Sequence, residues 1–206
     1  MIQGSPEWLA ARCGKVTASR IGDLMAKTKT GFGASRANYM AELIAERLTG
    51  VPATSFTNAA MQWGTETEPQ ARAAYEFFTG HDVQEVGLID HPTIPMSGAS
   101  PDGLVMADGG LEIKCPNTAT HIETLLSDSI PSKYTDQMQW GMACTGRKWW
   151  DFVSFDPRMP QHMRFFCVRV PRDPKRIEEI TASVIQFQAE LADKLARLQS
   201  LYAEAA

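Results

Sequence analysis

Two acids and a lysine, Asp102, Glu112 and Lys114, lie in one short stretch, Ser97 to Pro116, that reads SGASPDGLVMADGGLEIKCP. Two carboxylates beside an ammonium suit a hard divalent cation and the water it activates. Mg²⁺ takes oxygen ligands, accepts one or two carboxylates and keeps several waters. The backbone carbonyl of Ile113 is a further candidate oxygen. A lysine close to a cation has a lowered pKa, because like charges disfavour protonation. Lys114 is therefore expected to orient or deprotonate an attacking water.

These residues need an element that brings them together. Asp108, Gly109 and Gly110 favour positive φ and a chain reversal, so two strands are expected to fold back on each other. Alternation along the second strand sends Leu111 and Ile113 to one face, Glu112 and Lys114 to the other. Asp102, at the start of the first strand, can then approach Glu112. The same alternation describes any half-buried strand, so Leu-Glu-Ile-Lys alone is a weak signal. The upstream Ser-Pro-Asp-Gly strengthens it.

With 206 residues, the chain is long enough for one sizeable core, and a single domain over 1–206 is the simplest expectation. No apolar run approaches the ~20 residues of a membrane span. The first residues lack the apolar segment of a secretory signal. Four scattered cysteines without a C-x-x-C pair read as reduced thiols, which points to the cytoplasm. The four histidines show no metal-ligand spacing and read as surface or turn residues. A net charge of −4 argues against a simple basic nucleic-acid binder. Arg12 to Arg36, however, carries six bases against one acid, a net of +5 that leaves −9 for the remainder. A local basic face can hold a phosphate backbone while the rest of the surface stays acidic.

Helices are expected over Pro6–Arg12, with Ser5 as N-cap, and over Thr17–Ala26, with Thr17 capping. Lys27–Ser35 reads as a basic loop. Ser35–Leu48 and Asn58–Phe78 read as helices ending at Gly50 and Gly80, with Pro69 a candidate kink in the second. Val83–Ile89 and Met96–Ser100 read as strands before the hairpin. Thr118–Leu126 and Pro131–Cys144 read as helices, Lys148–Phe155 and Met163–Val170 as strands. A long helix opens at Pro174, its apolar stripe suited to core or subunit contact. The fold class expected from these elements is α/β, with a central sheet flanked by helices, a helical N-terminal region and a long C-terminal helix.

Pro101-Asp102 with Glu112-Ile113-Lys114 resembles the PD-(D/E)-x-K motif of a large nuclease superfamily, which implies a restriction-endonuclease-like core with a central mixed β-sheet. The resemblance extends to the phage lambda exonuclease family over most of the chain. It is carried by Arg12 with Val16-Thr17-Ala18-Ser19, Trp63-Gly64 with Glu68 and Ala71-Arg72, Ser100-Pro101-Asp102-Gly103-Leu104, Gly110 to Pro116, Gln137 and Gln139, and Phe155-Asp156-Pro157-Arg158-Met159. Several blocks in the right order are far more specific than the bare motif.

The resemblance implies an alkaline, Mg²⁺-dependent exonuclease, with Mn²⁺ able to substitute, that degrades the 5′-ended strand of duplex DNA and leaves a 3′ overhang for recombination. It implies Asp102, Glu112 and the Ile113 carbonyl as metal ligands, Glu68 as a second or outer ligand, Lys114 at the water and Gln139 in support. Arg12, Ser19 and Ser100 would grip the 5′-phosphate. Lys29 stands where the lambda enzyme has an arginine, and Met61 where the family places a side chain that wedges the duplex end. The longer N-terminal extension of some relatives is missing. A homotrimeric ring around DNA, a single-strand annealing recombinase as partner, and the cytoplasm of a bacterium carrying a phage or prophage complete the picture. A restriction-type endonuclease and a non-catalytic DNA-end-binding module are the alternatives.

Overall fold

The computed structural model describes residues 1–29, 31–53 and 59–203. Helix α1 (Pro6–Arg12) begins as expected: the Trp8 N–H donates to Ser5 Oγ at 3.2 Å and Pro6 takes the first helical position. The helix expected over Thr17–Ala26 is broken. Val16–Thr17 is strand β1, Ala18–Arg20 is a 3₁₀ turn, and α2 covers only Ile21–Met25. Thr17 caps nothing; its N–H donates to the Tyr39 hydroxyl at 3.1 Å. Inside the expected basic loop, β2 (Lys27–Thr28) pairs with β3 (Gly31–Phe32).

Helix α3 (Ala34–Thr49) ends on Gly50 at φ 67°. Helix α4 spans Ala59–Thr79 and runs through Pro69 without ending; its expected start at Asn58 lies outside the described residues. The run Val83–Ile89 is not one strand. It splits into β4 (Val83–Gln84) and β5 (Ile89–Asp90), which belong to different sheets. The N-terminal residues explain the break: Gln3 Nε2 donates to Val86 O at 3.1 Å and to Pro101 O at 2.6 Å, and a Cβ on Gly87 would meet the Met1 carbonyl at 2.9 Å.

Strands β6 (Ser97–Ala99), β7 (Gly103–Val105) and β8 (Gly109–Lys114) follow, then helices α5 (Thr118–Ser127) and α6 (Thr135–Thr145), the latter entered through a 3₁₀ turn at Ser132–Tyr134. Strands β9 (Trp149–Phe155) and β10 (Phe165–Pro171) and helix α7 (Pro174–Leu201) complete the chain. The main sheet has the order β10-β9-β8-β7-β4. Its β8–β9 pair is parallel, with Glu112 opposite Phe152 and Lys114 opposite Ser154; its other pairs are antiparallel. A smaller sheet orders β1-β6-β5, with β1 parallel to β6. This is the expected α/β architecture of a mixed sheet flanked by helices. Among the described residues, no helix is long and apolar enough to cross a membrane.

Alternation divides the core. Leu111, Ile113, Val153 and Phe155 pack on one face with Ala71 and Tyr75 of α4. Trp150 and Phe152 pack on the other with α6 and with Ile177, Ile180, Val184 and Phe187 of α7. Strand β8 is covered on both sides, so it is not the half-buried strand that its pattern also permitted. One histidine departs from expectation: His121 is fully buried, with Nδ1 2.7 Å from Ser154 Oγ and Nε2 2.8 Å from Met163 O.

The expected turn at Asp108-Gly109-Gly110 lies two residues earlier. Met106 takes the positive φ, 50°, and both glycines belong to β8. Arg147 Nη1 closes the turn by donating to the carbonyls of Val105, Met106 and Gly109 at 3.2, 2.9 and 2.7 Å. The glycines serve close packing instead. A Cβ on Gly109 would overlap the Trp149 ring, and one on Gly110 the buried Trp150 ring. Gly141 of α6 also contacts Trp150, so two glycines make room for one indole. Gly110→Ala is therefore expected to destabilise the fold by about 2 kcal/mol or more, read as a lower urea midpoint with an unchanged slope.

Candidate active site

Strand β8 positions the central pair. Side chains two apart on a strand share a face, and Lys114 Nζ lies 2.6 Å from Glu112 Oε1. Glu112 is 3% exposed. Gln137 Nε2, from α6, donates to the same Oε1 at 2.6 Å. Asp102 arrives from the bend before β7, where its N–H donates to Leu111 O at 3.2 Å and its Oδ2 accepts the Ile113 N–H at 2.6 Å. Strand pairing has ended there, so an acid takes a place that a ladder hydrogen bond would otherwise fill. Burial, and then the Glu112 charge, hold the Asp102 carboxyl well above its usual range. Burial alone would push Lys114 down, but Glu112 and Asp102 outweigh it and the net shift is upward. The lowering expected for Lys114 beside a cation is thus reversed in the protein alone, where the lysine itself supplies the positive charge.

A second group forms around Arg12 at the end of α1. The parallel β1–β6 pairing brings Thr17 and Ser19 beside Ser100. Arg12 Nη1 donates to Ser100 Oγ at 3.2 Å, and Nη2 to Thr17 Oγ1 at 3.2 Å and Ser19 Oγ at 3.5 Å. The guanidinium lies 4.3 Å from the Trp8 ring centroid, and Trp8 Nε1 donates to Ser100 Oγ at 3.0 Å. Burial lowers the Arg12 pKa, and among the described residues no carboxylate pairs with it. A desolvated cation held only by hydroxyls is short of an anion. One cleft is lined both by Arg12, Ser19 and Ser100 and by Glu112 and Gln137. A larger hollow of about 410 Å³ between the ends of α3 and α7 is lined by Leu48, Leu198, Gln199, Tyr202 and Ala203, and offers no charged group.

The other expected site residues are placed differently. Gln139 is buried and turned away: its Nε2 donates to Pro171 O at 3.0 Å and its Oε1 accepts the Asp173 N–H at 2.9 Å. It staples α6 to the junction of β10 and α7, while Gln137 reaches Glu112. Glu68 comes from α4, across the sheet from the Glu112–Lys114 face, and accepts from Arg72 Nη2 at 2.7 Å. Burial raises its pKa, Arg72 and Lys114 lower it and Glu112 raises it, so it lies within reach of the central charges. Lys29 is exposed in the turn between β2 and β3, and Met61 is 50% exposed on the first turn of α4. Trp8, Thr17 and Gln137 are the participants that the sequence reading gave no role. The Thr17 block and the Gln-x-Gln pair signalled two of them; only the fold identifies Trp8.

Half of the six basic residues from Arg12 to Arg36 are paired internally. Lys15 pairs with Asp90, Arg20 with Asp23 and Glu42, and Arg36 with Glu190. Arg12, Lys27 and Lys29 are left without a carboxylate partner among the described residues.

Residues 7–148 match the YqaJ-like viral recombinase domain. The chain belongs to that family. It is 55% identical to LHK-Exo, an alkaline exonuclease from Laribacter hongkongensis, with a TM-score of 0.91 over 98% of this chain and 100% of that one. A complex of LHK-Exo with dAMP superposes with a TM-score of 0.92 over the same shares. A phage-related exonuclease from Haemophilus somnus 129PT, 18% identical, shares the fold with a TM-score of 0.73 over 89% of this chain and 96% of that one. No curated protein sequence matches significantly. The family is the one that the motif blocks implied.

For a YqaJ-type chain the remaining question is which ion the carboxylates suit. Among the described residues, no group of three or more His, Cys, Asp or Glu side chains is arranged as a metal site. The protein offers two carboxylates, Asp102 and Glu112, and the Ile113 carbonyl, which by strand geometry points to the same open edge as the Ile113 N–H. Few protein oxygens suit a hard divalent cation that keeps its own waters, and a dication there would offset the Glu112 charge that, after burial, raises the Asp102 pKa. Mg²⁺ is therefore expected to raise the melting temperature of the wild-type protein and to leave that of Asp102→Asn unchanged. Separately, Gln139→Ala is expected to cost about 1–3 kcal/mol, since it removes two part-buried hydrogen bonds, as measured by urea denaturation.

Proposed function

We propose that the protein is a Mg²⁺-dependent deoxyribonuclease that digests duplex DNA from its 5′ ends, releases 5′-mononucleotides and leaves 3′ single strands for annealing-type recombination. Membership of the YqaJ-like family and the likeness to an alkaline exonuclease support the exonuclease reading. The observation that carries the polarity is the single cleft shared by the Arg12 hydroxyl cradle and the Glu112–Gln137 edge. A terminal phosphate on Arg12, Ser19 and Ser100 would set the following phosphodiester against Glu112 and Lys114. End-dependent cleavage from the 5′ side is the consequence.

The roles follow from chemistry. Arg12 offers two donor nitrogens in a fixed fork, which matches phosphate oxygens. Asp102, Glu112 and the Ile113 carbonyl would hold Mg²⁺, or Mn²⁺ in its place. The cation, when bound, neutralises phosphate charge and makes water a better nucleophile. Lys114 would orient the attacking water, whose proton leaves to solvent; Gln137 fixes the Glu112 carboxylate. Bond making at phosphorus expels the 3′-oxygen, and the released nucleotide keeps its 5′-phosphate. Glu68 serves as an outer acid. Lys29 and Met61, both exposed, contact the duplex, Met61 at the point where the strands part. A ring of three subunits would keep the enzyme on its track, and a single-strand annealing recombinase would take up the product strand. Cytoplasm of a phage- or prophage-bearing bacterium is the setting this requires.

Linear duplex with 5′-phosphates is expected to yield mononucleotides with Mg²⁺, and closed circular duplex none; cutting of circles would mean an endonuclease. Lys114→Ala and Asp102→Ala should each reduce release by about 10²–10⁴-fold. Arg12→Ala should lose about 10- to 100-fold, from a charge-assisted contact, on phosphorylated ends but little on hydroxyl ends; equal loss on both would break the link between the cradle and the 5′-phosphate. Light scattering is expected to give three times the subunit mass, and a one-subunit mass at working concentration would refute the ring.

A further inference from the structure

Lys114 has a second neighbour besides Glu112. Its Nζ lies 5.0 Å from the centroid of the Tyr134 ring. Tyr134 ends the 3₁₀ turn that leads into α6, and its ring stacks on Phe152 of β9 at 5.6 Å and 26°. Gln137 follows three residues later. Residues three apart share one helical face, as Glu112 and Lys114 share one strand face. One short segment therefore touches both members of the charged pair, Gln137 at the acid and Tyr134 at the amine. The segment is fixed from behind, because Arg176 of α7 grips Asp136 with Nε and Nη2, both at 2.7 Å. Lys133 Nζ, 4.8 Å from the same ring, is exposed and is the other cation near it.

In the protein alone the lysine rests on the Glu112 oxygen at 2.6 Å. A cation that takes this oxygen displaces the ammonium from it. A mobile lysine would then lose its aim. The negative face of an aromatic ring attracts an ammonium without competing for the cation's oxygen ligands.

We propose that Tyr134 is a positioning residue that holds Lys114 through its ring face when Glu112 is engaged by the cation. This rests on the exonuclease reading for its consequence and on the ring–ammonium contact for its substance. The hydroxyl is dispensable and the electron-rich ring is not.

A fluorination series at position 134 tests it, comparing Phe, 3,5-difluoro-Phe and 3,4,5-trifluoro-Phe, which keep the ring's shape and drain its negative face. Tyr134→Phe is expected to stay within about threefold of wild type and the trifluoro variant to fall about tenfold, in line with a partly desolvated contact of this kind. The fall should be stepwise, in kcat, with KM for phosphorylated duplex ends unchanged. A flat series overturns the proposal, as does a fall confined to KM. An independent readout needs no turnover: the Lys114 Hε protons of the metal-free protein should be shifted upfield by the ring in wild type and Tyr134→Phe, and not in Tyr134→Leu. Identical shifts in all three overturn it. If Tyr134→Leu does not fold, the fluorinated series decides. If wild type leaves linear duplex intact while the Hε shifts behave as expected, the exonuclease reading fails and the lysine seat stands.

Discussion

An acid and a lysine on a strand covered from both faces are the constraint around which the chain is arranged. Glu112 is 3% exposed, and among the described residues the cation paired with it is Lys114 at 2.6 Å. A buried ion pair stabilises little by itself, but losing one partner costs about 3–5 kcal/mol, because the survivor stays buried and uncompensated. The surrounding residues accordingly supply donors where water cannot. Gln137 bonds the Glu112 oxygen, and Asp102 occupies the Ile113 N–H at the point where β7 stops pairing. The third charge, Asp102, is the one left in debt: burial and Glu112 both disfavour its ionised form. Protonation of Asp102 is the means by which the fold keeps the two acids side by side without full repulsion.

The anion cradle shows the complementary arrangement. Arg12 could have been neutralised, as its neighbours are: Arg20 meets Asp23 and Glu42, and Lys15 meets Asp90. Instead Arg12 meets three hydroxyls and an indole face. Hydroxyls satisfy the guanidinium's donors without cancelling its charge, so attraction for a phosphate is retained. The residues of the cradle come from three separated stretches. The parallel β1–β6 pairing and the α1 helix align them, and the bend after β6 carries the chain from Ser100 to Asp102. A single residue, Pro101, thus separates Ser100 of the hydroxyl group from the buried Asp102, which limits how far apart the two groups can lie.

Much of this was legible in the sequence. Asp102, Glu112, Lys114, Arg12, Ser19 and Ser100 were all read from motif blocks, and the structure brings the first three together and the last three together. The helices with strong periodicity and clear caps, α1, α3 and α7, also emerged nearly to the residue. The failures have specific causes. The run Val83–Ile89 has no internal break signal, because the contact that divides it comes from the N-terminal residues. Thr17 has the chemistry of a helix cap, but its Oγ1 accepts from Arg12 Nη2 instead. Gly109-Gly110 looked like turn chemistry and is packing chemistry, a distinction that depends on two tryptophans some forty positions later. His121, on an unremarkable helix, is buried by the Ser154 hydroxyl and a backbone carbonyl far along the chain.

The Gln-x-Gln pair shows why the resemblance named Gln139 while Gln137 is the one that reaches Glu112. Residues two apart on an α-helix point about 200° apart, given 3.6 residues per turn, so Gln137 and Gln139 cannot both face β8. Their sequence neighbours do not say which one does. The choice is made by the start of α7, which presents an unpaired Asp173 N–H and a Pro171 carbonyl to Gln139 and a guanidinium to Asp136. The C-terminal helix therefore sets the rotation of α6, and that rotation delivers Gln137 to Glu112. An element without any chemistry of its own decides which amide reaches the reactive carboxylate, so the long last helix belongs to the site's construction as much as to the core.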